Sequence, residues 1–228
     1  MTASPVTDTR ARLVDRLRGS RFVDDPYLGE GTAARFEAGS RLWPGDRWSA
    51  VERCFVTEAD GRCFEEYRFT PAGGGAVLPV GIMFETLADG GVGAIIYSDH
   101  HLVDDRGPIH PKVPGIHPWR SGTDVLRAYF AALNGNRLDD VLDQFAEDGY
   151  FRHSNDETFI GRDRLRIDFT KMMGTTGIKV DYCRFTDDGV TCAADVYMPS
   201  GRPSVAVYQR TERFDRPGNK LRAVRIYM

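Results

Sequence analysis

The chain has 228 residues and a formal net charge of −3, and 41% of its residues are hydrophobic. At about 150 residues per domain, this length suits one large domain or two small ones. Charge this close to neutral argues against a nucleic-acid-binding protein, whose affinity for phosphates comes mainly from clustered lysine and arginine side chains. The sequence contains no run of about 18 apolar residues, the length that a membrane-spanning helix needs. The N-terminus also lacks the apolar core of a secretory signal, so we expect a cytoplasmic protein without nucleic-acid or membrane partners.

Prolines divide the chain. Four of them lie within residues 104–122 and interrupt any continuous helix or central strand, so this segment is expected to be a linker. Before it we expect a disordered start over residues 1–9 and an N-terminal unit over 10–103. After it, residues 123–228 should form a complete C-terminal unit.

The C-terminal unit begins with helices and ends with strands. Apolar residues at helical spacing predict helices over 123–134, over 137–149 and near 162–173. Alternating segments separated by turn residues predict four strands, over 178–186, 190–198, 204–214 and 220–228. Helices followed by an antiparallel sheet indicate an α+β domain.

An internal repeat relates the two units. A segment of the N-terminal unit resembles one in the C-terminal unit at an offset of 129, which aligns Cys54 with Cys183 and Cys63 with Cys192. Shorter matches on either side have offsets of 128 and 130 in unchanged order, as duplication with small loop changes would leave. Upstream of Leu13 there is no room for a counterpart of the first C-terminal helix, so we expect the N-terminal copy to lack it.

The strand over 190–198 has two different faces. One face is wholly apolar, and we expect it to pack on the sheet of the other unit, which would make an internal pseudo-dimer. The other mixes small and polar side chains, as the lining of a cavity would. The apolar face carries Val190, Cys192, Ala194, Val196 and Met198, and the mixed face carries Thr191, Ala193, Asp195 and Tyr197. No C-x-x-C motif occurs, so the cysteines are expected to be thiols rather than disulfides.

Residues 129–153, YFAALNGNRLDDVLDQFAEDGYFRH, carry a family resemblance. They resemble ketosteroid isomerases and the wider SnoaL-like, nuclear transport factor 2-like superfamily. The resemblance continues through FIGRDRL at 159–165 and covers 123–228, and it recurs more faintly in 10–103. It implies cone-shaped α+β units, in which a curved antiparallel sheet wraps the helices and the interior of the cone holds a ligand. The superfamily hosts many activities, so the resemblance implies little about the reaction.

The isomerase roles fall on three residues of this sequence. The tyrosine that donates to a developing oxyanion falls on Tyr129, and the second donor falls on or beside Arg210. The carboxylate that shuttles the proton is replaced by His153, which argues against steroid double-bond isomerisation. A histidine side chain can nevertheless accept or donate a proton near neutral pH.

A carboxylate beside His153 would complete a dyad like those of the superfamily's dehydratases. Asp195 lies on the mixed strand face, where a buried carboxylate needs a partner, and His153 or Arg210 could supply one. The same residues also suit structural roles, with Tyr129 in the core and Asp195 in an ion pair with Arg210. We expect the wall of the cavity to include Tyr150, Tyr197, Gln209, Ile226 and Met228.

Two other groups of residues are weaker candidates for a functional site. In the N-terminal copy Asp25 aligns with His153 and Glu66 with Asp195, but without its first helix this copy is expected to be mainly structural. The linker region holds His100, His101, His110 and His117 near Asp99, Asp104 and Asp105, at spacings that fit no compact metal site. No phosphate-binding or nucleophile-elbow motif occurs. We therefore expect neither a metal nor a cofactor.

The sequence favours a cofactor-independent acid–base enzyme that acts on a small, largely apolar metabolite. Cyclisation, dehydration or isomerisation in a biosynthetic pathway fits best, with His153, Asp195, Tyr129 and Arg210 as the catalytic residues. One alternative is a non-catalytic protein that binds a small molecule in the same cavity, and another is an epoxide hydrolase. The chain would be a monomer with its internal pseudo-dimer, or a homodimer.

Overall fold

The computed structural model describes residues 5–22, 48–59, 61–98, 124–175, 177–197, 203–213 and 218–228. The chain divides into two compact units. The first is Met1–Val113 with Ser154–Asp156 and Tyr227–Met228, and the second is Pro114–His153 with Glu157–Ile226. The main division falls inside the predicted linker at 104–122, although the linker and its histidines lie outside the described residues.

The first unit contains a helix and a mixed sheet. In the part of this unit that the structure describes, the strands follow the order β1-β5-β4-β3-β2, with β1 parallel to β5 and the other neighbours antiparallel. The elements are α1 (Pro5–Arg18), β1 (Arg21–Phe22), β2 (Trp48–Ala59), β3 (Arg62–Pro71), β4 (Leu78–Thr86) and β5 (Val92–Ser98).

Helix α1 begins close to the N-terminus. It starts at Pro5, inside the segment 1–9 that is expected to be disordered. Proline suits the first turn of a helix, because the N–H that it lacks would have no partner there. Leu13 and Leu17 of α1 belong to the core of this unit. They share it with sheet residues that include Val51, Tyr67, Phe69, Val80, Ile82, Phe84, Ala94 and Ile96.

The second unit contains three described helices and a second mixed sheet. Its described strands follow the order β7-β6-β11-β10-β9-β8, and β6 lies parallel to β11. The helices are α2 (Asp124–Asn134), α3 (Leu138–Asp143) and α4 (Arg162–Met173). The strands are β6 (Phe145–Arg152), β7 (Thr158–Ile160), β8 (Asp181–Asp187), β9 (Thr191–Tyr197), β10 (Pro203–Arg210) and β11 (Leu221–Tyr227). A mixed α+β fold is therefore confirmed.

Helix α3 is shorter than the predicted helix over 137–149. It ends at Asp143, and the chain continues as strand β6 from Phe145. Phe145 pairs with Leu221 of β11, and its ring lies 5.8 Å from the ring of Phe169. The packing of this buried ring and the pairing of β6 with β11 outweigh the helical spacing of the local sequence. The segment therefore forms a strand from Phe145 onward.

The two units share strand order and register. The order β1-β5-β4-β3-β2 is repeated as β6-β11-β10-β9-β8, and in both units the first strand of the series lies parallel to the second. Glu58 pairs with Cys63, and 129 residues later Asp187 pairs with Cys192. A register shift interrupts the β2–β3 hairpin between residues 53 and 55, and another interrupts the β8–β9 hairpin between 182 and 185. These features support the internal repeat.

The apolar face of β9 packs on helices of its own unit. Cys192 pairs directly with Tyr208 of β10, so both side chains lie on one face of the sheet. The Tyr208 ring lies 6.0 Å from the ring of Tyr129 and 5.4 Å from that of Phe130, both on α2. An apolar strand face suits such a helical layer as well as it suits a second sheet. The pseudo-dimer of the two units stays a prediction.

Candidate functional site

His153 lies in the turn between β6 and β7. Its backbone N–H donates to the carbonyl of Glu157 at 2.9 Å, which closes the turn. Its imidazole Nε2 lies 3.0 Å from one carboxylate oxygen of Asp168 and 2.9 Å from the other. The carboxylate therefore holds one specific nitrogen of the ring.

Asp168 lies on the buried face of α4. Gly161, at a φ of 78°, turns the chain from β7 into this helix. Leu165, Asp168 and Phe169 point to the same side, and only 4% of Asp168 is exposed. A carboxylate buried this deeply needs hydrogen-bond or charge partners, and the imidazole is one of them. Asp168 is not among the predicted site residues, although an acidic residue three positions after an apolar one on an otherwise apolar stripe is a usable signal.

Tyr129 lies in an aromatic cluster on the inner side of α2. It is buried, and its ring lies 5.8 Å from Phe145 and 6.4 Å from Phe169, the residue that follows Asp168. Burial, and to a lesser degree the charge of Asp168, raise the pKa of the Tyr129 hydroxyl well above its ordinary value. The phenol therefore stays protonated and can act as a hydrogen-bond donor.

Arg210 is paired with a carboxylate that the sequence analysis did not single out. Its two terminal nitrogens lie 3.0 and 2.9 Å from the two oxygens of Asp187. The side chains of Arg210 and Asp187 are 0% and 6% exposed, so this is a buried bidentate ion pair. Burial followed by the charge of Asp187 also raises the pKa of the Cys192 thiol, so the group stays neutral.

The other predicted site residues do not all join His153. Gln209 Oε1 and the Tyr150 hydroxyl each accept a hydrogen bond of 3.2 Å from Arg225 Nη1. Gln209 alternates with Tyr208 along β10, so this group lies on the sheet face away from α2. Ile226 is buried and Met228 half-buried. The side chains of Asp195 and Tyr197 lie outside the described residues, so the role of all these residues stays a prediction.

Neither a metal cluster nor a membrane helix occurs within the described ranges. No group of three or more histidine, cysteine, aspartate or glutamate side chains there could hold a metal ion. No helix there is long and apolar enough to cross a membrane. Asp25 and the histidines of the linker region lie outside these ranges.

The site lies in a recognisable domain. The SnoaL-like domain family matches residues 126–221, which include Tyr129, His153 and Asp168. This segment is therefore similar to SnoaL-like domains. Among curated proteins, none matches the chain.

Solved structures similar to the chain cover slightly less than half of it. An NTF2-like protein of unknown function from Cytophaga hutchinsonii is 18% identical over 46% of this chain and 86% of its own, with a TM-score of 0.33. A protein with a ketosteroid isomerase-like fold from Catenulispora acidiphila, in complex with trimethylamine, is 16% identical over 46% and 85%, with a TM-score of 0.36. The epoxide hydrolase/cyclase-like enzyme SalBIII, described in pyran ring formation in the polyether salinomycin, is 16% identical over 46% and 88%, also with a TM-score of 0.36.

Proposed function

We propose that the SnoaL-like domain is a cofactor-independent acid–base enzyme in which His153 and Asp168 form the catalytic dyad. The observation that carries the proposal is the contact of His153 Nε2 with both oxygens of a nearly fully buried carboxylate. A base held in place by a third group is the arrangement by which enzymes move protons. The predicted pairing of His153 with Asp195 stays a prediction, because the side chain of Asp195 lies outside the described residues.

In this proposal the two imidazole nitrogens have separate roles. In this scheme Nε2 keeps its proton and donates a hydrogen bond to Asp168, so Nδ1 is the atom that exchanges a proton with the substrate. When His153 takes up that proton, the negative charge of Asp168 stabilises the imidazolium that forms. Asp168 itself moves no proton in this scheme.

Tyr129 would supply the electrophilic partner. Because its pKa is raised, its hydroxyl remains a neutral donor that can stabilise negative charge developing on a carbonyl oxygen. In a dehydration, Nδ1 would remove the proton next to the carbonyl, and the C–H electrons would form a double bond as hydroxide leaves from the β carbon. His153 would then give that proton to the leaving hydroxide. The unsaturated product and water would leave the site.

The surroundings of the dyad favour an apolar substrate. The rings of Phe151 and Phe159 lie 4.9 and 5.7 Å from the His153 imidazole. The next ring along, Phe169, lies 5.3 Å from Phe151. Such rings keep water away from the dyad, and sites of this kind take up hydrophobic groups while a few polar atoms orient the reacting centre. We therefore propose a small, largely apolar carbonyl compound as the substrate class, for dehydration, cyclisation or isomerisation.

Two substitutions at the dyad test the proposal. Candidate β-hydroxy ketones and unsaturated ketones are screened with the full chain, and turnover is followed by mass spectrometry. His153→Ala and Asp168→Asn should each lower kcat by roughly 10²- to 10⁴-fold, the usual contribution of a positioned acid or base. Asp163→Asn, in the first turn of the same helix and exposed, is the matched control and should retain full activity.

Two outcomes would contradict the assignment. Full turnover in folded His153→Ala and Asp168→Asn variants would show that the dyad is not catalytic. Tight retention of an unchanged compound, with no product formed, would favour the alternative of a non-catalytic binding protein.

We also propose that the first unit is a shortened copy of the same domain with a mainly structural role. Shared strand order, hairpin register and bulge position support this proposal. Expressing residues 114–228 with and without the first unit would test it, since a structural partner should affect folding yield more than the chemistry of the dyad.

A further inference from the structure

Strand β7 brings one aromatic side chain to the dyad. It has three residues and lies at an end of the described sheet order. Thr158 is exposed, and Ile160 is 61% exposed. Phe159, between them, points the other way and is half-buried. It pairs directly with Phe151 of β6, so the two rings lie side by side on one face of the sheet.

Both rings contact the His153 imidazole. Phe151 lies 4.9 Å from it at an interplanar angle of 66°, and Phe159 lies 5.7 Å from it at 82°. These are edge-to-face contacts, the arrangement that aromatic rings prefer. With Nε2 also bound to Asp168, the imidazole is held by two ring contacts and by a hydrogen bond.

These contacts oppose rotation of the imidazole about its χ2 bond. A half-turn would replace Nε2 by a carbon atom beside Asp168 and would move Nδ1 to the other side of the ring. A carbon there would leave the buried carboxylate without its imidazole donor, which is unfavourable. The ring would also have to sweep past Phe151 and Phe159 during the rotation. The turn that holds His153, the pairing of β6 with β7 and the carboxylate on α4 therefore all favour one orientation of the imidazole.

We propose that Phe151 and Phe159 form an aromatic clip that positions His153, keeping Nε2 on Asp168 and Nδ1 turned to the reacting proton. This inference rests on the proposed function for its catalytic consequence. Phe159 is the positioning residue that can be tested, since Phe151 is buried against Phe169 and its replacement would disturb the core. Phe159 touches no reacting atom in this scheme and acts through His153.

The test replaces the ring of Phe159 while keeping its apolar character. Phe159→Leu removes the ring, Phe159→Tyr retains it, and Ile160→Leu changes an exposed neighbour on the same strand as the control. The full-length chain, labelled with ¹⁵N in histidine and without substrate, is measured by NMR correlation of the imidazole nitrogens and carbon-bound protons. His153→Ala identifies the signals that belong to this residue.

The wild type should show one tautomer, with the proton on Nε2. Phe159→Leu should give a mixture of tautomers or orientations and lower kcat about tenfold with KM within about twofold, because orientation of the base acts on the chemical step. Phe159→Tyr should restore both properties, and Ile160→Leu should leave them unchanged. If Phe159→Leu does not fold, Phe159→Met, which is also ringless but more flexible, is measured instead.

The clip is overturned if the ringless variant leaves the His153 spectrum unchanged, or if Ile160→Leu alters it as much. Failure of the proposed function has a different signature. In that case His153→Ala keeps full turnover, while the spectrum of the ringless variant still changes. The spectrum thus tests the clip, and the turnover of His153→Ala tests the dyad.

Discussion

The two units differ in the layer that lies beneath their helices. In the first unit, Cys63, Glu65 and Tyr67 of β3 alternate on the sheet face that packs on α1. At an offset of 129 residues, the second unit carries Cys192, Ala194 and Val196 on the corresponding face of β9. The corresponding strand thus holds a carboxylate in one unit and a methyl group in the other.

Glu65 is supported by a set of donors around its carboxylate. The residue is 2% exposed, and its oxygens accept hydrogen bonds from Arg16 and from the Tyr67 hydroxyl. The Arg16 guanidinium also lies 3.9 Å above the centre of the Phe84 ring. Desolvation of the carboxylate costs free energy, and these donors offset it. A charged residue in this layer therefore requires hydrogen-bond donors around it. The apolar layer of the second unit requires none.

The second unit places its charges at other positions. Asp168 lies on the helix α4, and the pair of Arg210 and Asp187 lies at the end of the sheet. A sheet with this strand order can therefore pack either an apolar or a charged layer under a helix. Chemistry in such a fold must therefore be located residue by residue.

The largest effect expected from this comparison is at the buried pair of the second unit. Asp187→Ala should lower the free energy of unfolding by about 3–5 kcal/mol, because it leaves the fully buried Arg210 charge without its carboxylate. Asp139→Ala breaks the Arg166 ion pair, whose nitrogen and oxygen are 2.6 Å apart on the surface, and should cost less than about 1 kcal/mol. Urea titration of both variants measures the difference. Equal losses would show that burial adds nothing to this pair.

A smaller effect is expected in the charged layer of the first unit. Glu65→Ala introduces the residue found 129 positions later, and should cost about 2 kcal/mol because the Tyr67 hydroxyl loses its acceptor. The loss is smaller than at Asp187, since the Arg16 side chain is 40% exposed and remains hydrated. Glu52→Ala, on the exposed side of β2, is the control. A gain in stability would show that an apolar layer suits both units.

The smallest effect is a dependence of stability on alkaline pH. Burial raises the pKa of Tyr129, and burial followed by the hydrogen bond to Glu65 raises that of Tyr67. Since both phenols release their protons more readily in the unfolded chain, stability is fully present below the unfolded pKa of 10.0 and falls as the pH rises above it. Each group should contribute a loss of roughly 0.4 kcal/mol at pH 10, increasing at higher pH. Unfolding titrations from pH 7 to 11 should show a shallower decline in Tyr129→Phe and in Tyr67→Phe. Identical slopes would contradict the burial argument.

Much of the fold could be predicted from local sequence patterns. The helix over 124–134, the helix over 162–173 and the α+β class follow from apolar spacing and turn residues, which are local properties of the chain. The helix predicted over 137–149 is cut short because Phe145 pairs with β11, a partner far away in sequence. Such pairings cannot be read from a local pattern.

The candidate site could be predicted only in part. His153 and Tyr129 follow from the family resemblance, whereas the carboxylate beside His153 proves to be Asp168 on a helix. The contact joins a turn to a helix 15 residues later and depends on how α4 packs against β6. The sheet faces were ambiguous for a physical reason, since apolar side chains such as Cys192 and Val196 can meet a helix or a second sheet with equal benefit.

The bulges in the two hairpins have a consequence for engineering. Because each interrupts its ladder at the same place relative to the other pairs, a residue moved by 129 positions arrives at the same rung and on the same side of the bend. The two hairpins therefore share one pairing register. Residues 52–68 could be exchanged for residues 181–197 as a block with the pairing register kept, while the second register shift of β2, between residues 48 and 50, lies outside this block.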